Sequence, residues 1–220
     1  MKKLLPDFSR TDKLLWGCSC AAVIISYALC GGGGLLSPAA ALIGVTSLIF
    51  AAKGHFGGPV LMVAFSIMYG IISYTFRYYG EMLTYLGMTG PMAVLAAIAW
   101  IRNPMSGSVN RVQAAKLRKY ELWLIPIVTA LVTGVFTVLL WKLGTSNLLP
   151  SSISVATSFA AVWLTERRSP YFALVYALND VVLIILWTLA SLSDRSYISV
   201  TVCFAVFLIN DIYGFVSWRR

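Results

Sequence analysis

A chain of 220 residues that is 59% hydrophobic and 11% charged, with a mean hydropathy of +0.82, has too little polar surface for a soluble domain. Its net charge of +9 would suit nucleic acid, but no polar segment is long enough to fold into a binding domain, so nucleic acid is excluded as a partner. The same shortage excludes an ATP-driven pump in this chain alone, and a single histidine without H-E-x-x-H, G-x-S-x-G or a Walker lysine argues against catalysis.

Apolar stretches predict eight membrane-crossing helices, at about 14–31, 35–52, 59–76, 82–101, 122–141, 148–165, 170–191 and 196–217. Each spans roughly 30 Å at 1.5 Å per residue. The first is too long for a signal-peptide core and has no small-residue cleavage site, so no cleavable signal is expected. It carries Cys18, Cys20 and Cys30; with Cys203 these are read as free thiols, because Cys18-x-Cys20 is not a zinc spacing. Gly31 to Gly34 read as a tight turn rather than a phosphate loop. His55 falls in the next loop, where a solvated side chain is expected. The third helix carries Ser66, Tyr69 and Ser73, and the fourth opens on Tyr79-Gly80-Glu81, with Arg77 one turn before Glu81. Trp100, Trp163 and Trp218 lie near helix ends and read as an interfacial belt.

The polar segment 102–121 reads as a linker ending in an amphipathic helix, Arg111 to Glu121, at the headgroups. With both termini cytosolic, eight crossings place all of the 17 lysines and arginines inside except Arg77, Lys142 and Arg195. Thr46-Ser47 and Thr157-Ser158 are 111 residues apart, as are Pro59 and Pro170, which suggests an internal duplication with parallel repeats. The expected organisation is an extra N-terminal helix (1–34), a three-helix bundle (35–101), the linker (102–121), a linking helix (122–147) and a second three-helix bundle (148–220).

Two Asn-Asp pairs interrupt the last two helices, Asn179-Asp180 and Asn210-Asp211. Polar groups in hydrocarbon usually face a bundle interior or a wet cavity. Asn179 and Asn210 have similar depth, roughly 10–13 Å from one membrane face. Asn179 shares its helix face with Phe172 and Tyr176, and Asn210 shares its face with Tyr213. Amides beside aromatic rings suit a planar polar solute such as a vitamin or nucleoside. The solute-binding residues expected from this pattern are Asn179, Asn210, Tyr176, Tyr213, Tyr69, Phe172, Ser66 and Trp187. Asp180 and Asp211, about 100° further round, are expected to brace the helices, with proton coupling through either as the alternative. No cofactor or metal is implied, the partners are the solute and the lipid bilayer, and homo-oligomerisation is left open.

The run Asn210-Asp211-Ile212-Tyr213-Gly214-Phe215 with Trp218-Arg219-Arg220, the Tyr79-Gly80-Glu81 motif, and a penultimate helix centred on Asn179 and ending at Trp187 resemble the PnuC family of nicotinamide riboside transporters. The resemblance covers about residues 35–220. It implies a fold similar to the SWEET sugar transporters, two parallel three-helix bundles joined by one helix, and facilitated diffusion of a vitamin captured by cytosolic phosphorylation. One departure concerns the ligand. Where the riboside transporters carry W-x-x-W-x-x-x-N, this chain has Phe172, Val175 and Asn179. Related branches are linked with thiamine, riboflavin or deoxynucleosides, which stand as alternative substrates.

Overall fold

Ser9 starts the first helix ahead of the predicted apolar stretch. Its hydroxyl accepts the Asp12 N–H at 3.2 Å, and the Asp12 carboxylate accepts the Ser9 N–H at 2.6 Å. This reciprocal cap satisfies two backbone donors that an open helix end would leave bare. The structure, a computed structural model, describes residues 6–31, 34–75, 78–105, 111–145 and 147–219. Among these residues it contains eight long helices: α1 (Arg10–Cys30), α2 (Leu36–Ala52), α3 (Gly57–Thr75), α4 (Tyr79–Arg102), α5 (Glu121–Lys142), α6 (Leu148–Glu166), α7 (Phe172–Ser191) and α8 (Ile198–Arg219). They follow the predicted segments in order. Seven reach spanning length and hydropathy, alone or with an adjoining turn, and α2 is the shorter apolar helix.

α4 is not a uniform α-helix. Residues Tyr85–Thr89 form a π-turn, in which the Gly90 N–H donates to the Tyr85 carbonyl. Pro91, just beyond it, has no N–H to give, and its ring crowds the carbonyl four residues back. A widened turn relieves that conflict, and such turns recur at functional positions.

Six helices close a ring. α2 packs on α3, α3 on α4, α4 on α6, α6 on α7, α7 on α8, and α8 returns to α2. α1 leans on α2 and α8 from outside, and α5 rests on α6. The rest of α5 is exposed, including Leu131, Val135 and Trp141, as a lipid-facing helix requires. The α2–α8 seam is tight because Gly44 faces the Phe207 ring, where a methyl group would sit 2.3 Å from a ring carbon. The α2–α3 hairpin is equally close: the Ser47 hydroxyl donates to the Gly58 carbonyl at 2.8 Å.

Lys53, Arg111 and Arg167 gather at one end of the ring, here called the basic end, which also holds the start of α1 and the end of α8. The linker crosses this end, and its conformation corrects the predicted amphipathic helix. From Arg111 to Arg118 the chain forms no helix, and Arg111 and Val112 make isolated bridges to His55 and Pro104. The Val112 N–H donates to the Gly54 carbonyl (2.8 Å), the Gln113 N–H to Asn103 (3.0 Å) and the Ala115 N–H to Arg168 (3.1 Å). Backbone pairing with loops from both halves outcompetes a helix whose apolar face would have had only headgroups to meet. His55, expected in solvent, is buried there: its Nδ1 accepts the Gly57 N–H at 2.9 Å and its ring stacks on Phe56. At the opposite end the Asp194 carboxylate accepts the Ser196 N–H at 2.9 Å, which holds it below the usual carboxylate range.

α1 is held by polar contacts at the basic end. Asp12, 0% exposed, pairs with the Lys53 ammonium at 2.6 Å and accepts the Tyr213 hydroxyl. Removing one partner of such a buried pair strands the other charge. Asp12→Ala is expected to lower stability by about 3 kcal/mol, read as a drop in unfolding temperature in detergent. An unchanged unfolding temperature would show that α1 docks by its apolar contacts alone.

Candidate functional site

Helical spacing puts one buried polar stripe on each of three ring helices. α3 contributes Ser66, Tyr69 and Ser73, and α4 contributes Glu81, Tyr85 and Thr89. α7 contributes half-buried Tyr176 and buried Asp180, with buried Trp187 two turns on from Asp180. The stripes meet inside the ring. The Tyr69 and Tyr85 rings lie 4.5 Å apart, Phe65 stands edge-on to Tyr85 at 5.8 Å, and Phe65 reaches Phe207 of α8 at 5.5 Å. Asp180 of α7 and Asp211 of α8 are both buried and lie close to each other across the α7–α8 contact. The buried thiol of Cys203 lies close by.

Several atoms in this band have no hydrogen-bond partner: the hydroxyls of Ser66, Ser73 and Thr89, Oε2 of Glu81 and Oδ2 of Asp180. None of these residues is more than 3% exposed. An unpaired buried polar atom is costly, more so where the outer surroundings are hydrocarbon. Concentrated on facing stripes, such atoms describe a place built for a polar guest.

Aromatic clusters close the band at both ends. At the basic end the Trp100, Phe172 and Trp218 rings lie 5.2–6.1 Å apart. Their positions are fixed by indole N–H donation, Trp100 to the Thr165 carbonyl and Trp218 to the Ala51 carbonyl, both at 2.8 Å. Trp100 and Trp218 are therefore packed plug residues rather than the interfacial belt expected from their position, while Trp163 packs edge-on to Phe159. At the opposite end Tyr78, Trp187 and Tyr197 lie 4.8–5.6 Å apart, with Tyr69 beneath Trp187 at 6.4 Å. Between the closures, a cavity of about 20 Å³ is bordered by Ser47, Met62, Thr165, Phe172 and Tyr176, room for about one water.

The structure separates the expected binding residues. Tyr69, Ser66 and Tyr176 lie in the band, Trp187 in one closure and Phe172 in the other. Asn179 is buried, and its Oδ1 accepts hydroxyls from Thr157 (2.8 Å), Ser158 (3.1 Å) and Ser154 (3.4 Å) of α6. Asn210 does not meet it. The Asn210 Nδ2 donates to the Ser19 hydroxyl of α1 at 2.9 Å and to the Val206 carbonyl at 2.8 Å, and Tyr213 reaches Asp12. α8 is rotated so that Asn210 and Tyr213 face α1, outside the ring. Asp211, about 100° round, takes the inward direction.

Sequence reasoning missed Tyr85 and Thr89, and the inward role of Glu81, whose expected partner Arg77 lies outside the described residues. The i, i+4, i+8 spacing of Glu81, Tyr85 and Thr89 was the available signal. The π-turn hid it by adding a residue to the helical repeat.

Comparison with known proteins agrees with this architecture. A curated relative, the nicotinamide riboside transporter PnuC of Neisseria mucosa, is 25% identical over 191 residues, which covers 84% of this chain and 72% of that protein. The crystal structure of the vitamin B3 transporter PnuC superposes with a TM-score of 0.85 at 20% identity, covering 98% of this chain and 93% of that one. The fold is thus shared, including the ring and the outlying α1. The profile described as nicotinamide mononucleotide transporter matches residues 34–220, from the turn before α2 to the end of α8. A ring of apolar helices around a buried polar band, with that match over most of its length, makes this multi-pass membrane protein a member of the nicotinamide mononucleotide transporter family.

Proposed function

We propose that the protein carries nicotinamide riboside across the cell membrane by facilitated diffusion, with the band inside the ring as its binding layer and both termini cytosolic. The observation that carries this reading is the set of unpartnered polar atoms on α3, α4 and α7, shut in by an aromatic cluster at each end. Tyr69, Tyr85 and Tyr176 are the rings available to a flat heterocycle, and Ser66, Thr89 and Asp180 offer polar contacts. Asn179 orders α7 against α6 beside them. Trp187 and Phe172 sit in the closures, so they are the ligand contacts made as each gate moves.

The charge of the interior favours the riboside over its phosphorylated form. Among the described residues the buried acids of the band are Glu81, Asp180 and Asp211, and no lysine or arginine is buried; Asp12 and Glu121 are paired with Lys53 and Arg167 at the basic end. A phosphate would meet carboxylates there without a compensating cation. A pyridinium ring would meet tyrosine faces and acids.

Exchanging α2, α3 and α4 with α6, α7 and α8 leaves the list of neighbours round the ring unchanged. That supports a SWEET-like parallel duplication, in which the two halves rock about the central layer and expose it to each side in turn. The gathered lysines and arginines support a cytosolic basic end.

The test is flux in liposomes. Purified protein is expected to equilibrate nicotinamide riboside down its gradient without ATP and to leave nicotinamide mononucleotide behind. Flux of the mononucleotide at the riboside's rate, or no riboside flux from folded protein, would overturn the assignment.

A further inference from the structure

Two buried aspartates, Asp180 and Asp211, close together inside a membrane-spanning ring pose a charge problem. Two neighbouring carboxylates buried in low dielectric resist ionising together without a cation between them, so one proton shared by the pair is the stable arrangement. What faces the pair supplies no such cation. From α7 comes Tyr176, from α8 Cys203, and from α4 Tyr85 and beyond it Glu81, with Tyr69 of α3 against Tyr85. Asp180 Oδ2 has no partner. The Ser66 and Thr89 hydroxyls also have none, each one turn along its helix from Tyr69 and Tyr85 on the same inward face. The arrangement lacks one positively charged group with hydrogen-bonding edges.

We propose that the Asp180–Asp211 pair is the charge filter of the binding layer. It holds one shared proton and one net negative charge, and it selects a planar monocation over a neutral molecule of the same shape. This deepens the riboside reading and rests on it. The tyrosines add the ring faces on which such a cation lies. The pair is a selecting element rather than a proton carrier: the shared proton keeps the net charge at minus one, which one cation neutralises without proton release.

An asparagine mimics a protonated aspartate in shape and in having a donor, so the single and double replacements differ in kind. Asp180→Asn or Asp211→Asn keeps one charge and one donor, whereas the double replacement removes the charge. The probes are nicotinamide riboside, a pyridinium cation, and its dihydro form, which is neutral. Binding of each to the purified full chain is measured calorimetrically, with unfolding temperature as a check on folding. The wild type is expected to prefer the cation by more than about tenfold, each single variant to keep that preference within about threefold, and the double variant to lose it while still binding the dihydro form. Equal wild-type affinity for both probes overturns the filter and leaves the transporter reading standing. Failure to bind either probe overturns both. A single variant that abolishes the preference, or a double variant that keeps it, also overturns the filter. Should the double variant not fold, the wild-type comparison and the single variants decide the matter.

Discussion

Asn179→Ala is expected to reduce riboside flux more than tenfold while costing only about 1–2 kcal/mol of stability. Three α6 hydroxyls converge on its Oδ1. Losing that acceptor frees Ser154 and Ser158, whereas Thr157 keeps backbone acceptors at Ile153 and Ser154. The stability loss is therefore modest. The functional loss is larger because α7 also carries Tyr176 and Asp180, and it would no longer be indexed against its neighbour. A one-ångström misplacement of a binding face is enough to matter. Flux in liposomes and unfolding temperature, measured on one preparation, separate the two effects. Wild-type flux in a destabilised variant would limit Asn179 to a structural role and remove it from the binding layer.

The second large effect is predicted at a residue with no side chain. Gly44→Leu is expected to destabilise the ring by about 3 kcal/mol or prevent its closure, since even a methyl group would lie 2.3 Å from Phe207. Phe207 has little room to yield, because Phe204 and Phe65 stand 5.6 and 5.5 Å away. Gly44→Ala should lose less, and pairing it with Phe207→Leu should restore part of the loss, because the clash is with the ring itself. Unfolding temperatures of the single and double variants form a cycle. Independent, additive losses would mean that the seam does not depend on this contact.

Helices and their order were legible because hydropathy over about twenty residues is a one-dimensional signal that length alone decides. Loop conformation was not: His55 and the stretch from Arg111 to Arg118 are set by backbone partners far away in sequence. The buried polar band was only partly legible. Depth along a helix follows from counting, so both Asn-Asp pairs could be assigned a level from the sequence. Rotation about the axis depends on which neighbours claim each face. Asn210 was claimed by Ser19 and Tyr213 by Asp12, on a helix that precedes the family match. Trp100 and Trp218 carried the composition of an interfacial belt, and only the acceptors at Thr165 and Ala51 revealed them as inward-packed.

The linker ties the ring together unequally at its two ends. At the basic end its N–H groups are bonded to Gly54 and Asn103 from one half and to Arg168 from the other. Any rocking that parts the halves there must stretch this strap, at about 1 kcal/mol for each backbone bond lost. The opposite end is closed by rings in contact, which slide and reseat without a fixed hydrogen-bond register. The two closures therefore differ in kind: one is held by backbone hydrogen bonds, the other by ring contacts alone. On the proposed rocking, opening at the basic end is then expected to be the slower step.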